Sequence, residues 1–275
     1  MPNSDRSVRG GVGEEVNSLQ QYESRGFCSP IRIVSQEEAM HHLQRLNHAE
    51  ERLGSLHYAP KVHTAFSSAL ELATHPSALE AVAAILGADI LLYNVSYIIK
   101  EPSSKSFVSL HQDLTYWGFS SDRLVSMWLA LTPATEESGC MYMLPGSHLA
   151  GQREHRCSHD EYNILYQSQV VREDMSSAVA CPLAPGEASF HHGWTLHYSK
   201  ANESPGRRVG LNVQYLAPSV RKLKGARGSA MLVKGVDRFG NFDPEMLARS
   251  DLDPAAILRL EELGRLHRET AAKPN

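Results

Sequence analysis

A chain of 275 residues with 42% hydrophobic and 21% charged side chains and a net charge of -4 has the make-up of a soluble globular protein. Its slight acidity argues against a nucleic-acid surface, which needs a basic stripe. No apolar run is suited to crossing a membrane, since the longest, residues 78–100, is interrupted by Glu80, Asp89 and Asn94. Fourteen histidines stand against four cysteines, an imbalance worth following because neutral imidazole ligates iron, zinc, copper and nickel. Cys28, Cys140, Cys157 and Cys181 lack CxxC spacing, and the opening MPNSDRSVRGGVGEE has no apolar core. Reduced thiols and a cytoplasmic location are therefore expected.

Taken in order, residues 1–13 are polar and glycine-rich and read as a flexible terminus. Ser35-Gln-Glu-Glu38 is a capping box, opening a helix with Ala39, Met40, Leu43 and Leu46 on one stripe and an end near Gly54. Residues 61–74 and 77–86 read as two more helices, the second stopped by Gly87. From about residue 89 the texture becomes β-rich: ILLYNVSYIIK, FVSLHQD, RLVSMWLALT, CMYMLP, EASFHH, TLHYSK and RRVGLNVQYLA, separated by turn residues. Strands behind a helical start predict a mainly β fold with flanking helices, a jelly roll or antiparallel barrel. The layout is one domain over 14–275: a helical buttress at about 14–88, a core at about 89–218, and a tail, 219–275, with a helix near 254–268. Residues 148–178 form a long polar insertion.

The chemistry-bearing pattern starts at His111-Gln112-Asp113. Alternation puts Phe107, Ser109, His111 and Asp113 on one strand face and turns Gln112 away. An imidazole beside a carboxylate is half a metal site. A third ligand is available in FHHGWTLHYSK, where His191, His192 and His197 all compete. Two histidines and a carboxylate form the facial triad of Fe(II) oxygenases, although a hydrolytic zinc accepts the same set. On the strand RRVGLNVQY, Arg208, Gly210, Asn212 and Gln214 share one face, and Val209, Leu211, Val213 and Tyr215 the other. A buried Arg208 needs an anion, and its planar guanidinium suits a carboxylate; Arg207 falls on the apolar side and is expected to reach outward.

His111-Gln112-Asp113, His197-Tyr-Ser199 and Arg208 eleven residues beyond His197 together resemble the phytanoyl-CoA dioxygenase family of Fe(II)/2-oxoglutarate-dependent oxygenases. IIKEP, HQDLTYWGF, SGCMYMLPGSH and PGEASFHHGWTLHYSKANESPGRR agree with it, over roughly residues 26–218, and GVDRFGNFD is similar to a bacterial subgroup. The resemblance implies a double-stranded β-helix of the jelly-roll, cupin-like type. It implies His111, Asp113 and His197 as iron ligands and Arg208 with Ser199 as the clamp on the distal carboxylate of 2-oxoglutarate. It further implies O2 as oxidant, with release of succinate and CO2. Related halogenases have Ala or Gly in place of the aspartate, so Asp113 favours hydroxylation or another oxidative outcome over halogenation.

Several assignments are finer. His197 is the expected ligand, and His192 is expected to play a structural role near it. Lys100, ending IIKEP, is a candidate for the cofactor pocket. Tyr116, Trp117 and Trp128 are candidate substrate contacts, each balanced against ordinary packing, and packing is the expectation for Trp194. His41, His42, His48, His57, His63 and His75 fall on predicted helices and read as surface or satisfied polar residues. His148 is expected in a turn, His155 and His159 in the insertion, and Arg221, Lys222, Lys224 and Arg227 on a solvated surface. The expected substrate is a small molecule, a specialised metabolite or amino-acid-like compound in preference to an acyl-CoA, with no nucleic-acid or membrane partner. The competing class is a cupin-like metal protein without O2 activation, a zinc hydrolase or ligand-binding sensor, which has no need of Arg208 and Ser199.

Overall fold

The computed structural model describes residues 11–157, 160–165, 168–170, 172–225 and 227–271, with backbone alone for 11–17, 157, 168–169 and 267–271. The chain opens with α1 (Gly11–Arg25), β1 (Phe27–Arg32) and α2 (Gln36–Leu53). The Ser35–Glu38 capping box is present at the start of α2, and Gly54 closes it. A single 3-10 turn at Val62–Thr64 then leads to α3 (Ser67–Ala73) and α4 (Pro76–Leu86). The strands that follow are β2 (Ile90–Lys100), β3 (Val108–His111), β4 (Leu124–Ala130), β5 (Met141–Met143), β6 (His155–Cys157) and β7 (Ser168–Val170). After them come β8 (Val179–Cys181), β9 (Glu187–His192), β10 (His197–Ser199), β11 (Arg208–Leu216), β12 (Ser229–Lys234), β13 (Asp243–Pro244) and α5 (Pro254–Ala271).

A seven-stranded sheet runs β1-β9-β4-β11-β2-β12-β13, and a four-stranded sheet runs β3-β10-β5-β8. Together they make the jelly roll. Alternation decides what each face of the large sheet does. Val95, Tyr97 and Ile99 on β2, Met127 and Leu129 on β4, Phe190 on β9, and Val209, Leu211 and Val213 on β11 pack in one core with Ala39, Leu46, Leu72 and Val82 of the helices. The opposite face turns toward the small sheet and is polar: Asn94, Ser96, Asn212, Gln214, His191 and Arg208 line a cavity there with His111 and His197. A bulge limits this polar face, because β11 pairs Gln214 with Asn94 but Tyr215 with Leu92. The extra residue, Tyr93, reverses the alternation, so Leu92 and Ile90 join the helix-side core while Tyr93 packs on the other side.

Four expectations need correction. Helix α1 begins at Gly11, inside the stretch read as flexible; residues 1–10 and His159 lie outside the described residues. The helix expected over 61–74 is divided, because Lys61 takes a left-handed conformation at φ 59°. Its backbone N–H donates to Asn94 Oδ1 at 2.7 Å and its amine turns inward, which holds the chain off the helical path until Ser67. The helical region contains β1, paired with β9, and the tail supplies β12, paired with β2, so both ends of the chain complete the large sheet. The insertion carries a small ladder of its own between β6 and β7. Among the described residues, no helix is long and apolar enough to cross a membrane.

Candidate metal and co-substrate site

Two short strands of the small sheet lie side by side with His197 opposite His111. Each imidazole is oriented by its own backbone: Nδ1–H of His111 donates to Ser109 O at 2.9 Å, and Nδ1–H of His197 donates to Thr195 O at 3.0 Å. That fixes the tautomer and leaves both Nε2 lone pairs free. Asp113 does not lie on the same strand as His111. β3 ends there, and Asp113 opens a 3-10 turn, Asp113–Tyr116, that swings its carboxylate back beside the imidazoles. Its Oδ1 is 3.3 Å from His111 Nε2 and 3.7 Å from His197 Nε2.

The other carboxylate oxygen is held from the large sheet. Ser126 Oγ–H donates to Asp113 Oδ2 at 2.7 Å, and His191 Nε2–H donates to the same atom at 3.2 Å. Burial pushes the Asp113 carboxyl up, but the His111, His191 and His197 imidazoles around it outweigh burial and hold the group well below the ordinary carboxylate range. Burial, with His111 and His191 alongside, drives His197 well below the ordinary histidine value. A neutral His197 beside an ionised Asp113 is the protonation state that a metal ligand set requires. The donor atoms of His111, Asp113 and His197 lie within 4.8 Å of one another and could hold a metal ion. Two unprotonated nitrogens and a carboxylate oxygen have no proton to share among them, and a cation satisfies all three. The residues present therefore fit iron, with imidazole and carboxylate as ligands.

A second charged feature lies on the large sheet. Arg208 and Lys100 face each other across β11 and β2, each 1% exposed. Like charges directly opposite on paired strands destabilise a sheet, and among the described residues neither has an ion-pair partner. Arg208 Nη1 donates to Gly139 O, its guanidinium lies 4.9 Å from the Trp128 ring, and its Nε is buried without a partner among the described residues. Lys100 Nζ donates to Ser199 Oγ at 2.8 Å and to the Lys200 carbonyl. Burial, then the Arg208 charge, lowers Lys100 to about 6; burial lowers Arg208 to about 10, leaving it charged at neutral pH. A buried cation with an unused donor, lining the same cavity as the two histidines, is a site for an anion.

The other expected residues divide. Tyr116, Trp117 and Trp128 all line the cavity, and Trp117 also packs with Phe119 and Val220. Trp128 lies against Arg208, in space provided by Gly210, where any Cβ would collide with the indole. Arg207 does point outward, to Glu50 at 2.9 Å and Glu101 at 3.0 Å. Buried Gln112 turns from the metal ligands and ties Gly151 O, Trp194 O and the Arg153 N–H together.

His191, not His192, is the histidine that supports the ligand set; His192 packs near Tyr22 and His148. The signal was available: Ala188 and Phe190 belong to the helix-side core, so Ser189 and His191, which alternate with them, face inward. Gly139 and Ser126 were also missed. His57 and His75 lie outside the helices, His75 as an N-cap, and His63 is buried in a hydrogen bond to Glu245.

Comparisons with known proteins agree with this geometry. The family model for phytanoyl-CoA dioxygenase matches residues 24–210. "Phytanoyl-CoA dioxygenase 1" of Oryza sativa subsp. japonica is 31% identical over 120 residues, 44% of this chain and 42% of its own length. The human "Phytanoyl-CoA dioxygenase, peroxisomal" is 28% identical over 148 residues, 52% of this chain and 44% of its own. The chain thus spans less than half the length of these curated relatives. Among solved structures, apo ThoJ, described as a non-heme monooxygenase, superposes with TM-score 0.80 at 30% identity, covering 92% of this chain and 96% of its own. Its nickel complex, also 30% identical, gives 0.75 and covers 92% and 97%.

Proposed function

Since the chain belongs to the phytanoyl-CoA dioxygenase family of Fe(II)- and 2-oxoglutarate-dependent oxygenases, we propose that it oxidises, by hydroxylation, an aliphatic C–H bond of a small-molecule metabolite, within one catalytic domain over residues 14–275. The observation that carries this reading is one cavity lined by the His111–Asp113–His197 donor set and by a buried Arg208 with no acidic partner among the described residues. On this reading His111 Nε2, His197 Nε2 and Asp113 Oδ1 hold Fe(II). Bound iron, with 2-oxoglutarate and O2, supplies the oxidising power, succinate and CO2 being released.

The chain's own part is orientation and exclusion of water. Ser126 and His191 occupy Asp113 Oδ2, which keeps Oδ1 pointed at the imidazoles. Arg208 pairs with the distal carboxylate of 2-oxoglutarate, and Trp128 over its guanidinium limits where that group can swing. Lys100 donates to Ser199 Oγ, so the serine's own proton is free to reach the same carboxylate. Tyr116 and Trp117 wall the cavity where substrate would lie.

Anaerobic addition of Fe(II) and 2-oxoglutarate should produce a weak visible charge-transfer band. Arg208→Ala should weaken 2-oxoglutarate binding by about tenfold or more, the loss of a charge-assisted hydrogen-bonded pair, while iron affinity stays within about twofold. Absence of the band in folded, metal-loaded protein, or equal loss of both affinities, would overturn the reading.

A further inference from the structure

The polar face of the large sheet continues well past the proposed co-substrate clamp. Along β11 the inward residues after Arg208 are Gly210, Asn212 and Gln214, and β2 presents Ser96 and Asn94 directly opposite the last two. Gln214 is 5% exposed, lines the cavity, and its Oε1 has no hydrogen-bond partner among the described residues. An amide oxygen left without a partner at a cavity wall costs about 1–3 kcal/mol, so it takes its donor from the cavity, water when the site is empty and a ligand when it is filled. 2-Oxoglutarate cannot be that donor. Gln214 lies six positions beyond Arg208 on the strand, about 20 Å of backbone, and an acceptor-only dicarboxylate has no hydrogen to offer an amide oxygen.

Charge narrows the donor further. Among the described residues lining the cavity, Arg208 is the one permanently cationic side chain and Asp113 the one carboxylate. Both are engaged in the oxygenase reading, by the distal carboxylate and by iron. Lys100 is outside the lining and turned onto Ser199 and Lys200. A substrate carboxylate, phosphate or ammonium would enter without a counter-charge, and an unpaired buried charge costs several kcal/mol. Asn94 has its Oδ1 already bonded to the Lys61 N–H, which fixes the orientation of the amide at the cavity wall.

We propose that the substrate is an uncharged molecule that donates a hydroxyl or amide hydrogen to Gln214 Oε1, with Asn94, Ser96 and Asn212 forming the rest of the polar wall. This rests on the oxygenase reading, because it counts Arg208 and Asp113 as already committed. It excludes coenzyme A thioesters bound through their phosphates in this cavity and zwitterionic amino acids.

Crystals grown anaerobically with Fe(II) and 2-oxoglutarate, then soaked separately in ethylene glycol, acetamide, sodium acetate and inorganic phosphate, test it. The expected result is ethylene glycol or acetamide within hydrogen-bond distance of Gln214 Oε1, with neither anion there. Ethylene glycol alone would assign a hydroxyl and acetamide alone an amide N–H. In Gln214→Met, which keeps the length of the side chain, occupancy of the same probe should fall about tenfold or more. Acetate or phosphate at Gln214, no neutral probe there, or undiminished occupancy in Gln214→Met would overturn the proposal. The same maps report separately on iron at His111, Asp113 and His197 and on 2-oxoglutarate at Arg208, so failure of the oxygenase reading is distinguishable.

Discussion

Ser126 touches neither proposed cofactor, yet its hydroxyl fixes which oxygen of Asp113 faces the histidines. Ser126→Ala should leave the fold intact and lower Fe(II) affinity by about 10-fold to 100-fold, the usual scale for groups that orient metal ligands; a metal titration by calorimetry reads it. At Gly210 the controlling feature is an absent side chain. A Cβ there would collide with the Trp128 indole that covers Arg208, so Gly210→Ala should cost about 1–3 kcal/mol. It should also raise the dissociation constant for 2-oxoglutarate more than that for iron, measured with the two ligands titrated separately. Much of this level was legible in the sequence. His111 with Asp113, and His197 with Ser199, are spacings within single short segments, whereas the meeting of those segments across the sheet is not local. Gly139 was not legible, because its carbonyl meets Arg208 only after the chain has closed over 69 residues.

Strand alternation was the most reliable guide among the elements, and it failed where an element ended or slipped. It assigned both faces of β11 correctly, but it carried Asp113 along β3, one turn too far. The helix over 61–74 failed for a nonlocal reason. Lys61 Nζ lies 2.5 Å from Glu245 Oε1, and Glu245 Oε2 lies 2.5 Å from His63 Nε2, all three side chains being largely buried. Periodicity near residue 61 contains no trace of an acid 184 residues away. This cluster pins the segment around β13 to the turn before α3. Glu245→Gln should destabilise the protein by about 3–5 kcal/mol, since it leaves buried Lys61 unpaired, as denaturant unfolding would show.

The same cluster has a pH signature. Burial pushes Glu245 up, but His63 and Lys61 outweigh it and bring it to about 2, whereas burial lowers His63. In each case the unfolded chain binds protons more readily than the folded one, so stability is lost as pH falls. The His63 contribution starts to fade below about pH 6.5, and that of Glu245 below about pH 4.5 toward 2. In metal-free protein, Glu245→Gln should flatten the fall in melting temperature between pH 4.5 and 2.

At the level of the whole molecule, the two sheets come from widely separated parts of the chain, and the proposed ligands come from both. The triad and Ser199 lie mainly on the small sheet, while Ser126, His191 and Arg208 lie on the large one. Iron and 2-oxoglutarate bound between them should therefore stabilise the global fold. At 100 times their dissociation constants, each adds about 2.7 kcal/mol, or about 5 °C or more in melting temperature for a chain of this size. Chelation should reverse the shift, and Arg208→Ala should abolish the 2-oxoglutarate part alone. The jelly-roll class was legible from the succession of β-rich segments behind helices. The contributions of β1 and β12 were not, because a sheet edge is completed by whichever distant segment supplies backbone donors at the right register.

Strand β10 is three residues long, yet it bonds to β3 on one side and β5 on the other. His197 and Ser199 stand at its two ends, separated by roughly 6.7 Å of extended backbone. If one end serves the iron and the other the distal carboxylate, this segment is a gauge for the length of the co-substrate. A dicarboxylic acid shorter or longer by one methylene would meet one end and miss the other. Because neighbours brace the gauge on both edges, it cannot stretch to follow. Selectivity among keto acids would then be set by backbone, independent of whatever the wall around Gln214 selects.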